Sequence, residues 1–233
     1  MISLKKMEIE EKRLIEVDGS YGEGGGQILR TALAFSAIYK RPLTVYGIRA
    51  KRKKPGLGPQ HLMAVKALAQ ISGAKVDGNS IGSERLTFIP REICPGDYKF
   101  EIGTAGSVTL LLQSLLLPLC LSQRDSQLTL IGGTHVPWSP PFHYLSEVLF
   151  PMLRTMGIAI EARIEKWGWY PKGGGILKVE TRSTRDLKPV TFLERGSLKR
   201  IRGLSATSYL PKHVGERQRD EALRRIGKEM KAD

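Results

Sequence analysis

One carboxylate, Glu23, stands among the glycines of a run that opens on Asp18 and in which five of ten residues are glycine: Asp18-Gly19-Ser20-Tyr21-Gly22-Glu23-Gly24-Gly25-Gly26-Gln27. Ile28, Leu29 and Arg30 follow it. A strand-like stretch (14–17) leads in and a helical stretch (27–39) leads out. Strand, glycine loop and helix in that order aim backbone N–H groups and a helix N-terminus at a phosphate. No Gly-Lys-Ser/Thr follows, so this is not a Walker loop. The glycine spacing is not that of the dinucleotide fingerprint, and no acidic residue ends a second strand. Two readings stand side by side: a phosphate-facing loop, or a tight turn whose glycines permit positive φ or close helix–strand contact. Glu23 either favours the helix N-terminus by roughly 0.3–1 kcal/mol or orients a divalent ion or hydroxyl beside phosphates. Gln27 and Arg30, one helical turn apart, share a face and reach back toward the loop. An arginine on an otherwise apolar helix is costly unless it meets a buried anion.

A second set lies further on. Arg49-Ala50-Lys51-Arg52-Lys53-Lys54 places five cations in six positions, before a Pro/Gly break (55–59) and Gln60-His61 at a helix start. This is either a solvated loop or a phosphate track ending on a helix N-terminus, and His61 either packs and caps or attends a ligand. Gln113 interrupts the apolar run 110–121; if buried, it must tie two elements together or meet a ligand. His135 and His143 stand eight apart across Pro137, Pro140 and Pro141, a poor metal pattern. Trp138, Trp167, Trp169 and Tyr170 either stack on bases or fill a core or lid. No Ser-His-Asp set, Cys-His pair or zinc site is legible.

The elements that position these residues occur twice. The first copy reads strand (14–17), glycine turn, helix (27–39), strand (42–48), Pro loop, helix (60–72) ended by Gly73, and a β-pair (74–76 and 85–89). The second reads strand (98–102), small-residue turn (103–107), helix (108–121), strand (127–131), Pro loop (137–141), helix (142–156) ended by Gly157, and strands at 158–164 and 175–180. Gly26 and Gly106, Gly47 and Gly132, and Gly73 and Gly157 stand at matched places about 80–85 residues apart. Each copy is two helices on a small sheet, an α/β sandwich burying its apolar face against its neighbours. The helix 27–39 is apolar on most faces and is expected to be covered. In the second copy Gly103, Ser107 and Leu110 stand near or in register with Glu23, Gln27 and Arg30. The glycines therefore belong mainly to the fold, and the three polar residues carry the chemistry. Beyond 181 a polar linker (182–189), strand-like stretches (190–192 and 201–204, continuing through 205–209) and a charged helix (214–231) follow, a fragment with little to bury itself against.

Length and charge bound the possibilities. The chain has 233 residues, 37 Lys+Arg against 23 Asp+Glu, a net charge of +14 and a sequence pI near 9.9. That excess favours a polyanionic partner, nucleic acid before a membrane surface. Two cysteines, Cys94 and Cys120, make neither a disulfide framework nor a zinc pattern and suit a reducing cytoplasm. Residues 1–13 are charged and no secretory signal, and the longest apolar run is too short and interrupted to span a bilayer.

Taken together, several motifs resemble the RNA 3′-terminal phosphate cyclase family. They are Asp18-Gly19-x-x-Gly22-Glu23-Gly24-Gly25-Gly26-Gln27-Ile28-Leu29-Arg30, Ile48-Arg49-Ala50, Lys54-Pro55-Gly56-Leu57 with Gln60-His61, Gly103-x-Ala105-Gly106-Ser107, Gly132-Gly133-Thr134, Tyr170-Pro171-x-Gly173-Gly174-Gly175 and Pro211-x-His213-Val214. The resemblance implies three repeats of a two-helix, four-strand unit with a small α/β domain inserted before the last. On that scheme 13–90 and 97–181 are two repeats, 182–233 begins the insert, and the third repeat is absent. It also implies an ATP-dependent reaction: a histidine takes AMP, AMP passes to an RNA 3′-phosphate, and the 2′-hydroxyl attacks to give a 2′,3′-cyclic phosphate. A divalent cation, Mg or Mn, and cationic side chains offset the developing charge.

Transferred by motif, Glu23 meets the metal and nucleotide, Gln27 and Arg30 line that site, and Arg49 and Arg52 bind phosphate, with Lys54 beside them toward the RNA. His61 lies by the nucleotide or RNA end, and Gln113 binds the adenylate. The partner implied is an RNA 3′-phosphate end; the oligomeric state is left open. The alternative is a non-catalytic RNA-binding relative of the ribosome-assembly kind, though such a scaffold has no need of this nucleotide-site set. None of His61, His135, His143 or His213 matches the family's nucleophilic histidine. This chain alone is therefore expected to form no histidine-linked AMP, and an acid-labile adduct from labelled ATP would overturn that.

Overall fold

The computed structural model describes residues 14–229. It divides into two compact units, Met1–Val190 and Thr191–Asp233. The expectations for residues 1–13 and for the last turn of the final helix lie outside the described residues.

The first unit contains two four-stranded sheets of one topology. β1 (Ile15–Asp18), α1 (Gly26–Tyr39) and β2 (Leu43–Tyr46) form a parallel crossover; α2 (Pro59–Ser72) follows, then β3 (Lys75–Asp77) and β4 (Leu86–Ile89). The sheet order is β1-β2-β4-β3, with β1 parallel to β2 and the other pairs antiparallel. β5 (Asp97–Glu101), α3 (Val108–Cys120), β6 (Ser126–Gly132), β7 (Ile160–Lys166) and β8 (Gly175–Thr181) repeat it, in the order β5-β6-β8-β7 with the same directions. A parallel neighbour needs a crossover and an antiparallel one a short return, so each element order selects its sheet order.

The helix spanning 142–155 is not uniform. It runs as α4 (Phe142–Tyr144), a π-helical turn (Leu145–Leu149) and α5 (Phe150–Thr155). Pro151 has no N–H to return to the fourth residue before it, and the wider turn, with the Phe150 N–H on Leu145 O, accommodates it. Gly73 and Gly157 close their helices at φ 56° and 93°, conformations that cost a side-chain-bearing residue more.

One continuous core joins both sheets, drawing on Leu29, Leu33 and Ala37 of α1, Ala64, Leu68 and Ile71 of α2, and Leu111, Leu112, Leu115 and Leu119 of α3. α3 is the most enclosed helix: α1 and α2 pack on it from one side, β6 and β8 from the other. That position explains its apolar run. α1 is less covered than its composition suggests. Phe35 and Tyr39 stack on each other at 6.1 Å in solvent and, with Ile15, Val17 and Leu43, line an apolar groove.

Beyond residue 189 the strand-like stretches 190–192 and 201–204 form no strand, nor does 205–209. An isolated extended segment has no ladder to satisfy its backbone groups, and β-propensity alone does not hold it. α6 (Lys212–Glu229) buries none of its residues and carries its ion pairs on its own surface, Glu221 with Arg224 and Arg225 and Lys212 with Glu216. Asp220 pairs with the adjacent Arg219.

Leu115 is fully buried where the two repeats share their core. Leu115→Ala is expected to lower unfolding stability by about 2–5 kcal/mol, measured as a shifted urea midpoint with unchanged slope.

Candidate active site

Three consecutive glycines each make room for a basic or imidazole side chain from the segment 51–61. A Cβ on Gly24 would lie 3.2 Å from Lys51 Cβ, one on Gly25 3.0 Å from Arg52 Nη2, and one on Gly26 2.1 Å from His61 Nε2. The last cannot be relieved without moving the imidazole, so Gly26 is the seat of His61. Lys51 Nζ donates to Gly22 O at 2.8 Å, and Arg52 Nη2 meets Glu23 Oε2 at 3.3 Å. At the start of the loop, Asp18 accepts from the Ser20 N–H and hydroxyl, which lowers its pKa. The loop is thus folded onto the basic segment.

Beneath it lies Arg30, 7% exposed. Its Nη1 stands 3.0 Å from where a Gly26 Cβ would be, and its Nε is buried without a hydrogen-bond partner. Burial lowers its pKa. His61 Nδ1 is likewise buried and unpartnered. Burial, with Arg49 and Arg30 nearby, pulls His61 down to about 4, so its imidazole is neutral at pH 7. Arg49 holds a left-handed conformation (φ 54°) fixed by Nη1 donating to Gly56 O at 2.7 Å; burial first, then Arg52, lowers its pKa. α1 begins on Gly25 with no side-chain cap and no acidic residue in its first turn.

The structure therefore brings together Glu23, Arg30, Arg49, Arg52 and His61. Gln27, on the first turn of α1, and Lys54 are exposed. Gln113 requires a correction: in the middle of the apolar run it is nevertheless exposed, so it is not a buried amide tying two elements together. With half-buried Leu110 and Leu117 it forms the outward stripe of α3, three and four residues apart. No cluster of three His, Cys, Asp or Glu side chains suited to a metal occurs among the described residues. Glu23, 92% exposed, is a lone carboxylate able only to share an ion that also has phosphate ligands.

Sequence spacing missed two features. Gln60 Oε1 accepts the Ser107 N–H at 2.6 Å, tying α2 of one repeat to the turn of the next. His135 and His143 meet at 3.0 Å, and His135 stacks on Trp167 at 4.5 Å with Trp169 at 5.2 Å. The first contact crosses repeats and the second depends on how the Pro loop bends, so neither leaves a local periodicity to read.

The fold is an α/β repeat protein, and its first repeat gathers two desolvated guanidinium groups, a neutral imidazole and an uncapped helix start in one place. Comparison with known proteins narrows the class. The family model for RNA 3′-terminal phosphate cyclase matches residues 21–226. An RNA 3′-terminal phosphate cyclase of Trichormus variabilis is 46% identical over 216 residues, covering 90% of this chain and 62% of its own. One of Staphylothermus marinus is 50% identical over 207 residues, covering 88% and 58%. A solved structure, the enolpyruvyl transferase NikO from Streptomyces tendae, covers 65% of this chain and 29% of its own at 16% identity, with a TM-score of 0.33, too low to carry an argument. The chain belongs to the RNA 3′-terminal phosphate cyclase family, and it spans about 60% of the length of the curated relatives it matches. None of the described helices is long and apolar enough to cross a membrane.

Because the pKa of His61 is depressed from 6.5 to about 4, the unfolded chain binds the extra proton first. Stability should hold above pH 6.5 and fall as pH drops toward 4, with His135, also pulled down to about 4, adding to the loss. NMR titration should give a His61 midpoint near 4, moved upward by inorganic phosphate. A midpoint near 6.5 without phosphate would remove the buried, neutral imidazole from the site.

Proposed function

We propose that this chain carries the phosphate-binding part of an ATP-dependent RNA 3′-phosphate cyclase acting in the reducing cytoplasm. One observation carries the reading: Arg30 is buried beside His61 with its Nε unpartnered, and no carboxylate among the described residues pairs with it. A buried cation in want of an anion fits a phosphate ester better than any protein group nearby. On this reading the RNA 3′-phosphate enters over Gly25 and Gly26. Arg30 and Arg49 hold its oxygens, and the α1 start adds N–H donors. Neutral His61 offers a hydrogen bond without adding a positive charge.

ATP supplies the activating group, adenylate: the bond from its α-phosphorus to the bridging oxygen breaks, pyrophosphate leaves, and the adenylate ends on the RNA 3′-phosphate as an anhydride. Closure then forms a bond from the 2′-oxygen to phosphorus and breaks the bond to AMP, and the 2′-hydroxyl proton leaves. Arg30 and Arg49 face the charge that builds on the equatorial oxygens, where fixed cations in a dry pocket act most strongly. Gln27 and Gln113, both exposed, suit contact with the nucleotide, Arg52 and Lys54 the RNA strand, and Glu23 a magnesium or manganese ion shared with phosphates. Free Cys94 and buried Cys120 suit the reducing compartment.

Filter binding should show an oligoribonucleotide with a 3′-phosphate held more tightly than the same strand ending in a hydroxyl. Arg30→Gln should remove about tenfold or more of that preference, as expected for a charge-assisted hydrogen bond, and Arg30→Lys should not restore it. Equal binding of both ends by the wild-type chain would sink the reading.

A further inference from the structure

All three tryptophans of the chain, Trp138, Trp167 and Trp169, stand at one end of the second sheet, and the phosphate pocket uses none of them. Trp167 and Trp169 stack at 5.4 Å, with His135 against both and His143 at 5.3 Å from Trp167. His135 and Trp169 are bridged as neighbouring extended residues. Trp138, three residues beyond His135, and Tyr170, next to Trp169, belong to the same end. Their rings face water: Trp138 is 99% exposed and Tyr170 69%.

A tryptophan wholly in solvent forgoes the burial that makes the residue worth having. Trp138 is moreover held at φ 62°, a conformation rare for a bulky side chain. It is held there firmly. Pro137, Pro140 and Pro141 stiffen the loop, Ser139 Oγ donates to Val136 O at 2.9 Å, and Thr109 Oγ1 donates to Pro140 O at 2.7 Å. A ring presented in one orientation by a stiff loop loses little freedom on binding.

The platform is also wired to the phosphate pocket. Gln60, next to His61, accepts the Ser107 N–H; Ser107 Oγ and Thr109 Oγ1 lie 2.7 Å apart; Thr109 holds the Pro140 carbonyl, two residues from Trp138. A second link runs through the hairpin that carries Tyr170. Gly173 lies so close to the turn before α3 that a Cβ there would sit 2.7 Å from Ala105 Cα. Lys166 and Lys172 flank the aromatic residues and are exposed.

We propose that this aromatic end, with Trp138 and Tyr170 as its solvent-facing rings, is a stacking platform for unpaired bases of the RNA strand whose 3′-phosphate enters the Arg30–His61 pocket. The proposal rests on the RNA-end reading given above. Stacking needs only a base's π-face, so it tolerates sequence and suits a protein that recognises an end. The cations around the platform and the net charge of +14 serve the strand's phosphates.

Tryptophan fluorescence reads this region alone. The test titrates the 233-residue chain with an unstructured oligoribonucleotide 3′-phosphate, an abasic ribose-phosphate strand of equal length and 3′-phosphate end, and ATP, with filter binding in parallel. The base-bearing strand should quench fluorescence and bind more tightly than the abasic one. Trp138→Ala should weaken the base-bearing strand by about tenfold while leaving the abasic strand unchanged, and Trp138→Phe should keep most of the affinity. Tyr170→Ala should give a smaller loss of the same kind. RNA binding that Arg30→Gln weakens and Trp138→Ala leaves intact would overturn the platform and spare the pocket. Equal affinity for the base-bearing and abasic strands would do the same. Quenching by ATP alone with the same dependence on Trp138 would assign the rings to a mononucleotide and overturn the proposal. A wild-type chain that binds neither strand would sink the RNA-end reading together with it.

Discussion

The constraint on which the site depends is the burial of positive charge against glycine. Arg30 is nearly sealed from water, Arg49 is half-buried, and His61 lies where a side chain on Gly26 would have to be. Gathering such groups costs free energy, because each cation loses hydration and feels the next. His61 meets the cost by staying neutral; the arginines cannot. The pocket is consequently held together by the fold, and on the proposed reading an oxyanion entering it would meet donors already oriented. That is preorganisation in the electrostatic sense: the reorganisation has been done during folding.

The strength to hold such a pocket comes from the shared core. α3 is wrapped by α1 and α2 on one side and by its own sheet on the other. The start of α2, which carries His61, is fixed through Gln60 to the turn before α3. The exposed Glu23–Arg52 pair adds little by comparison, since solvent screens it. Its value is positional, keeping the glycine loop and the basic segment in one arrangement.

Most of the architecture was legible because it rests on local signals repeated twice: matched glycines, helix periodicity and β-branched strands. Legibility ended where burial depends on partners remote in sequence. Gln113 looked interior because its neighbours are leucines, but one stripe of a nearly buried helix still faces out. α1 looked enclosed for the same reason, yet Phe35 and Tyr39 are in solvent. The stretch 190–209 has strand-forming residues without a strand to pair with. Within the site, Arg30 was readable as a charge out of place on an apolar helix. The purpose of Gly24, Gly25 and Gly26 was not, because the side chains they admit come from about 27 to 35 residues away.

Comparison of the two copies separates what the fold requires from what the site requires. In the second copy the turn before the helix is closed: Ser107 caps α3 by accepting from the Leu110 N–H, and Gln60 takes the Ser107 N–H. In the first copy the same turn is open. α1 starts on Gly25 without a side-chain cap, and the space a cap would fill is bordered by Arg52 and His61. The helix start that the second repeat satisfies internally is, in the first, left to something from outside. Arg30 sits in the register of Leu110, so a position that is apolar in the closed copy carries a buried charge in the open one. An uncapped helix and an unpaired buried cation in one place, neither of them needed by the topology, are best explained by one ligand that completes both.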